Sequence, residues 1–438
     1  MASIVYEPAL KDPGLPVANP TKSFWLQDPV SPGTTHTAWV DRADIVVIGS
    51  GITAASFLLK LHQLNPRLSA VVVEARDLAS GATGRNGGHI KPSVYTEWTE
   101  RKRKYGLHEA IRLTRFEDGH LEEISRFIHD NAVECDLKIQ GSLDAYFDGE
   151  TFQDAVEAVR DMKKHVPDIA NKYEIYTSAE DLLALGFSPA CVGAVGFAAA
   201  SLWPYKLVSW VYRLLAAKGY RIQQNCAVTG VDEGPDLAVI STTRGTIRAL
   251  KAVHASNGYM GHLLPQLRPY ISPVRGNVVR LRAAREEPAP PARTYWFRYD
   301  LQDFDYMIER PGGEIIIGRA NKGRRATGDD RVTDIGPMAH LAGIVPNVLT
   351  FVKGPAEVLG SWSGILGFAK DGLPLIGRVE GSSRQWVCGG YCGLGMIRAW
   401  RSAQLLAFLV CGQPVPGEFP TSIAMTPTRL QSMVSAKL

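Results

Sequence analysis

From Ala43 to Ile48 the chain reads Ala-Asp-Ile-Val-Val-Ile, an apolar run of strand length that ends in a glycine turn. Beyond the turn, Ala54, Phe57, Leu58 and Leu61 recur at the spacing of a helix face, and Asn65-Pro66 stops the pattern. Ala70 to Val73 form a second apolar run that ends at Glu74. The pattern therefore predicts a strand-helix-strand unit with parallel strands and a right-handed crossover. Between Glu97 and Asn131, Ile111, Phe116, Leu121, Ile124, Phe127 and Ile128 predict one or two long helices among charged residues. Leu137–Ile139 and Leu143–Phe147 flank Gln140-Gly141-Ser142 and read as a hairpin, followed by a helix over Phe152–His165. A second α/β unit combines a helix over Leu207–Ala217, a strand over Tyr220–Cys226 and a hairpin turning at Arg244-Gly245. From Ile271 to Gly318, short alternating runs such as Tyr306-Met307-Ile308 and Ile315-Ile316-Ile317 predict an antiparallel sheet, and Glu286–Pro291 is a proline-rich excursion from it.

Length and composition narrow the class. The chain has 438 residues, 45% of them apolar, enough for two or three domains with a sizeable core. A formal charge of +4 is too slight to argue for a nucleic-acid partner, and the run Arg101–Lys104 reads as a solvated helix face. The six cysteines form no CxxC pair and no metal-like spacing with histidine, so no metal is expected. The first forty residues hold no apolar core of a signal peptide and read as an extended arm, 1–40. Leu405–Val410 falls far short of the roughly 20 residues a membrane span needs. The ending Ala436-Lys437-Leu438 resembles the Ser-Lys-Leu address, so a peroxisomal import receptor is an expected partner, with the cytoplasm as the other location.

The chemistry begins at the first turn. Gly49-Ser50-Gly51-Ile52-Thr53-Ala54 is GxGxxA placed where a strand feeds a helix, the context that this otherwise weak motif requires. Gly49 permits the turn, Gly51 lets the main chain approach a diphosphate, and Ala54 keeps helix and strand close. The amides of Ile52 and Thr53 then face the anion at the positive end of the helix. Glu74, 23 residues beyond Gly51, stands where a carboxylate can accept ribose hydroxyls. A tight turn of any α/β protein is the plain alternative. GxGxxA alone does not separate NAD from FAD. The loop that follows, Ser80-Gly81-Ala82-Thr83-Gly84-Arg85-Asn86-Gly87-Gly88-His89, is rich in glycines and donors and could carry a longer cofactor.

The acid, this loop and a late segment, Lys370–Gly377 with Gly389–Met396, resemble the D-amino-acid-oxidase-type flavoprotein superfamily. Sarcosine, glycine and pipecolate oxidases and γ-glutamylputrescine oxidase belong to it, and the likeness points within it to fungal FAD-dependent oxidoreductases. The resemblance implies an α/β fold, with a Rossmann-type FAD-binding domain and an interleaved α+β substrate domain on an antiparallel sheet. It divides the chain into a discontinuous FAD domain (41–130, 196–265 and 356–438) and a substrate domain (131–195 and 266–355). It assigns to the cofactor, besides the motif and Glu74, Ala75, Arg76, Ser80, Gly81, Thr83, Arg85, Asn86, Gly87, Gly88 and His89. Val228 would meet the adenine and Ser256-Asn257-Gly258 the diphosphate. Trp362, Gly364 and Asp371, with Gly390-Tyr391-Cys392-Gly393-Leu394-Gly395-Met396, would lie by the flavin. The helix opening at that last stretch would stabilise negative charge on the reduced ring.

Departures from the family pattern shape the expected reaction. Ser361-Trp362-Ser363-Gly364 lacks the cysteine that holds the flavin in sarcosine oxidase, so noncovalent FAD is expected. Ile316 stands where that enzyme has a lysine that assists oxygen, which leaves His89 or Lys322 as substitutes. Arg275 and Arg319 are the candidates for a substrate carboxylate, Arg319 also being a candidate catalytic group, with Tyr259, Trp296, Tyr306 and Tyr391 as further substrate contacts. For Arg275, a salt bridge within the sheet is the stronger reading. The expected activity is oxidation of a C–N bond in an amine or secondary amino acid, with dioxygen as co-substrate and imine and hydrogen peroxide as products. Alternatives are oxidative cyclisation or desaturation in secondary metabolism, a dehydrogenase with another acceptor, and a noncatalytic FAD-binding protein.

Overall fold

A computed structural model of the chain describes residues 11–27, 38–286, 290–320 and 326–435. Lys322 and Ala436-Lys437-Leu438 lie outside the described residues. The first sheet is built on the predicted unit. Strand Arg42–Ile48 lies between Ala70–Val73 and Gly245–His254, parallel to both, and Arg221–Gln223 extends the parallel order beyond Ala70–Val73. On the other side Gln385–Gly389 runs parallel to Gly245–His254 and Leu375–Arg378 closes the edge antiparallel. All four residues of Ala70–Val73 are buried, because helices cover one face of the sheet and the strand pair Val228–Glu233 and Ala238–Thr242 covers the other. Helix Ile52–Leu64 is one of these covers. It packs on helix Ala399–Cys411, and Ser56 Oγ donates to Trp400 O at 2.7 Å.

Among the described residues the second sheet has nine strands, ordered Val352–Ala369, Ile271–Arg285, Glu314–Ala320, Phe304–Glu309, Thr294–Arg298, Lys138–Tyr146, Gly193–Ser201 and His89–Ile90, with Glu174–Tyr176 also on Gly193–Ser201. Its pairings are antiparallel except that of Thr294–Arg298 with Lys138–Tyr146. Strands Gly193–Ser201 and Val352–Ala369, at the starts of the segments expected at 196–265 and 356–438, therefore belong to this sheet.

One expectation is corrected. The hairpin expected at Gln140-Gly141-Ser142 is one unbroken strand, Lys138–Tyr146, which pairs residue by residue with Gly193–Ser201. Gly141 adopts no left-handed conformation there, so nothing turns the chain. Within the expected extended arm, the described residues 11–27 are held against the body of the protein. Phe24 and Trp25 are buried, and Trp25 meets Trp203 edge-on at 5.5 Å. Trp25 Nε1 donates to Asn86 O and Trp203 Nε1 to Trp25 O, both at 2.7 Å. Burial of two large rings fixes the segment against the glycine-rich loop. Trp25→Ala is expected to lower unfolding free energy by about 3–5 kcal/mol, read from the urea midpoint. Ile139→Ala, at an exposed sheet position, should stay within about 0.5 kcal/mol.

Candidate cofactor and substrate site

One long cavity runs between the two sheets, from Val228 and Leu263 at one end to Trp296 and Phe304 at the other. Near its first end the strand termini are laced together, with Gly49 N–H donating to Val73 O and Ala255 N–H to Ile48 O, each at 2.9 Å. Gly49 has φ +100°, and a Cβ there would come within 2.9 Å of Ala255 O, so only glycine makes this turn. No side chain caps helix Ile52–Leu64 at Gly51, and Ile52 N–H donates to Thr83 Oγ1 at 3.0 Å. The helix start thus opens on the cavity with amides that the helix cannot satisfy itself.

Glu74 is held rather than free. Its Oε2 accepts from Ser50 N–H at 2.9 Å and Ser50 Oγ at 2.7 Å, and its Oε1 from Arg76 N–H at 2.9 Å. A carboxylate has about four acceptor sites, so one remains for a hydroxyl facing the cavity. Ser256 Oγ, also on a lining residue, is buried with no partner among the described residues. A glycine cradle, an oriented carboxylate and an unpaired hydroxyl fit the ribose and diphosphate of a dinucleotide, and Val73 and Val228 fit its base.

Arg85 fastens the glycine-rich loop. Its Nε donates to Ser80 O at 2.7 Å and its Nη1 to Thr21 O at 2.8 Å and Ser363 O at 2.9 Å. Asp330, fully buried, is paired with Arg76 at 3.1 Å and with Arg85 at 3.6 Å. Burial pushes the Arg85 guanidinium down to about 10, and Asp330 opposes that shift. Two cations to one carboxylate leave a net positive charge beside the cavity, which suits a diphosphate.

At the other end Trp296, Phe304, Tyr306 and His89 form an aromatic wall. The Tyr306 ring packs against Gly87 and Gly318, where a Cβ would come within 2.6 and 2.2 Å of it. His89 stands 5.7 Å from Tyr306 and 6.4 Å from Trp296, and its Nδ1 has no partner among the described residues. Burial, then Lys91, pushes the imidazole down to about 3, so it is neutral at ordinary pH.

Behind this wall lies a buried polar cluster. Lys91 Nζ is 2.5 Å from Asp144, and the Arg298 guanidinium is 3.6 Å from the same carboxylate. Tyr95 donates to Asp144 at 2.6 Å and contacts Tyr146 at 2.9 Å. Lys91 sits 5.1 Å and Arg298 4.7 Å from the Trp296 ring centre. Lys91 lines the cavity, and burial pushes its ammonium down to about 8 against the pull of Asp144. Here too, two cations face one carboxylate.

Most of the residues expected at the site line this cavity. From the first sheet and its loops come Gly49, Gly51, Ile52, Thr53, Glu74, Ala75, Arg76, Gly81, Thr83, Arg85, Asn86 and Gly87, and from the edge strand of the second sheet His89. From later segments come Val228, Ser256, Asn257, Gly364, Tyr391, Cys392, Gly393, Leu394, Gly395 and Met396. Ala54, Ser80, Gly88, Gly258, Trp362 and Gly390 do not line it and pack behind those that do. Trp362 Nε1, for example, donates to Arg85 O at 2.9 Å. Asp371 is elsewhere, paired with Arg429 at 2.8 Å on the C-terminal helix. Tyr391 OH meets Thr53 Oγ1 at 2.9 Å, and Tyr259 OH donates to Gly328 O at 2.9 Å near His262, so neither hydroxyl faces the aromatic end. The Cys392 thiol is pushed up to about 12 by burial and stays protonated.

Neither candidate carboxylate anchor lines the cavity, because successive side chains point to opposite faces: Arg319 is corrected, and Arg275 is salt-bridged, its stronger reading. On Ile271–Arg285, Gly276 and Val278 line the cavity, while Arg275 bonds Asp334 at 3.2 Å on the opposite face. On Glu314–Ala320, Ala320 lines it, and Arg319 points away to Asp303 at 2.6 Å and Asp305 at 2.9 Å. The same parity puts Lys91 on the side of His89. That spacing of two was visible in the sequence; the partner Asp144, on a distant strand, was not.

A strand-turn-helix dinucleotide cradle joined to an aromatic pocket on an antiparallel sheet defines a flavin-type oxidoreductase. Comparison with known proteins agrees. A family model described as FAD dependent oxidoreductase matches residues 44–409, and the chain belongs to that family. The gamma-glutamylputrescine oxidoreductase of Escherichia coli (strain K12) is 24% identical over 386 residues, covering 84% of each chain. The probable oxidoreductase OrdL of Rhizobium meliloti (strain 1021) is 24% identical over 394 residues, covering 88% of this chain and 85% of its own. The glycine oxidase structure from Geobacillus kaustophilus superposes with a TM-score of 0.74 at 19% identity, covering 89% of this chain and 99% of that one. The cofactor is FAD. Glu74→Ala is expected to weaken FAD binding by about 10- to 100-fold, the worth of a hydrogen bond to a charged group, measured by titrating apoprotein with FAD.

Proposed function

We propose that this protein oxidises the C–N bond of a carboxylate-bearing amine, such as a secondary amino acid, releasing an imine and hydrogen peroxide. The observation that carries this reading is the cationic excess of Lys91, Arg298 and Asp144 behind an aromatic pocket with a neutral His89. Two relatives are named for amine-bearing substrates, glycine and gamma-glutamylputrescine.

Bound noncovalently along the cavity, FAD supplies the acceptor for the hydride of the C–H beside the nitrogen, with dioxygen as final acceptor. Trp296, Phe304 and Tyr306 exclude water and favour the deprotonated amine, whose lone pair is then available. Lys91 holds the carboxylate by charge, orienting the carbon. Neutral His89 places no competing cation beside the amine. A dehydrogenase with another acceptor is the second reading, favoured by Ile316, which is fully buried where the family match would put an oxygen-assisting lysine.

The test is an anaerobic screen of sarcosine, pipecolate and glycine against the same amines lacking the carboxylate. The acids should bleach the flavin with kcat/KM at least about tenfold higher, and air should then yield peroxide. Preference for the bare amines would sink the reading; bleaching without peroxide in air would favour the dehydrogenase. A Lys near 8 is charged below that pH and loses its proton above it, so kcat/KM for the acids should fall as pH rises through about 8. Lys91→Met should raise KM and remove this falling limb.

A further inference from the structure

The segment before the first strand touches the cavity at a second place. Gly14, Leu15 and Pro16 line the same cavity as Val228, His262 and Leu263. This is the end beyond Glu74, because Cys226 N–H donates to Glu74 O at 2.8 Å and Leu263 packs into the cluster of Cys226 and Val228. Asp12 fixes the segment there, with His262 at 2.9 Å, Arg268 at 3.0 Å and the Gly14 N–H at 2.8 Å on its carboxylate. Gly328 makes room for it, since a Cβ there would lie 2.3 Å from Pro13 O. Farther along, Thr21 N–H donates to Asp330 O at 2.8 Å and Thr21 O accepts from Arg85. Leu15 remains 39% exposed although its neighbours are held, which places an apolar side chain at the cavity rim. The matched family core begins only at residue 44, so the segment lies outside it.

We propose that Asp12–Pro16 is a clasp of the cofactor site that covers the adenosine end of FAD: Leu15 and Pro16 supply apolar cover for the base opposite Val228 and Leu263, and the Asp12 pairings with His262 and Arg268 hold the cover shut. The clasp acts on cofactor retention, so its function is independent of the substrate and a failed amine screen leaves it standing. An apolar cover acts mainly on the rate of escape, because it must lift before the ligand leaves.

The test uses full-length holoprotein with Asp12→Ala, Leu15→Ser and Leu15→Met. FAD release into bromide-containing buffer is followed by the recovery of flavin fluorescence, and thermal unfolding of each apoprotein is recorded alongside. Asp12→Ala and Leu15→Ser should release FAD about tenfold faster, with apoprotein midpoints unchanged, and Leu15→Met should release it as slowly as the parent. Release at the parent rate in both of the first two variants overturns the proposal. Faster release matched by a fall in apoprotein stability also overturns it, since the segment would then be scaffold only.

Discussion

The cavity depends on one buried carboxylate. Asp330 has no solvent contact, and a charge so placed persists only if it is paired. Arg76 comes from the end of the second strand and Arg85 from the glycine-rich loop, and both meet it. The backbone carbonyl of Asp330 accepts from Thr21, and Ser363 of the second sheet donates to that same carbonyl. A single point thereby ties together the N-terminal segment, the cofactor loop and the sheet that carries the aromatic pocket. Loss of Asp330 would leave two buried guanidinium groups facing each other.

The same electrostatic plan is repeated at the other end of the cavity. Asp144 holds Lys91 and Arg298 as Asp330 holds Arg76 and Arg85. In each cluster a carboxylate makes burial of the cations tolerable and leaves one charge uncompensated. At the cofactor end that surplus matches a diphosphate; at the aromatic end it matches an acid on the substrate. Both arginines that the pattern of basic residues brought forward, Arg275 and Arg319, are spent on carboxylates of the outer face.

The aromatic end owes its shape to small residues rather than large ones. Tyr306 rests against Gly87 of the loop and Gly318 of the neighbouring strand, so one ring joins the glycine-rich loop to the second sheet. Gly87, one of the loop glycines read in the sequence as cofactor contacts, therefore has a second use as a seat for a substrate-pocket ring.

The βαβ unit, Glu74 and the glycine-rich loop were legible in the sequence because their signals are local: a strand, a turn and a helix within about 30 residues constrain one another. The antiparallel sheet was also legible from alternation, though Gly141 read as a turn when it is one residue of a continuous strand. Which face of each strand looks into the cavity was decided only by tertiary structure, since period-two alternation marks two faces without saying which is inside. That ambiguity misplaced Arg319 and hid Lys91. The N-terminal segment was unreadable for a related reason: the partners that order it, Asn86, Trp203, His262 and Asp330, lie tens to hundreds of residues away. Pairings across such distances depend on how the whole chain closes.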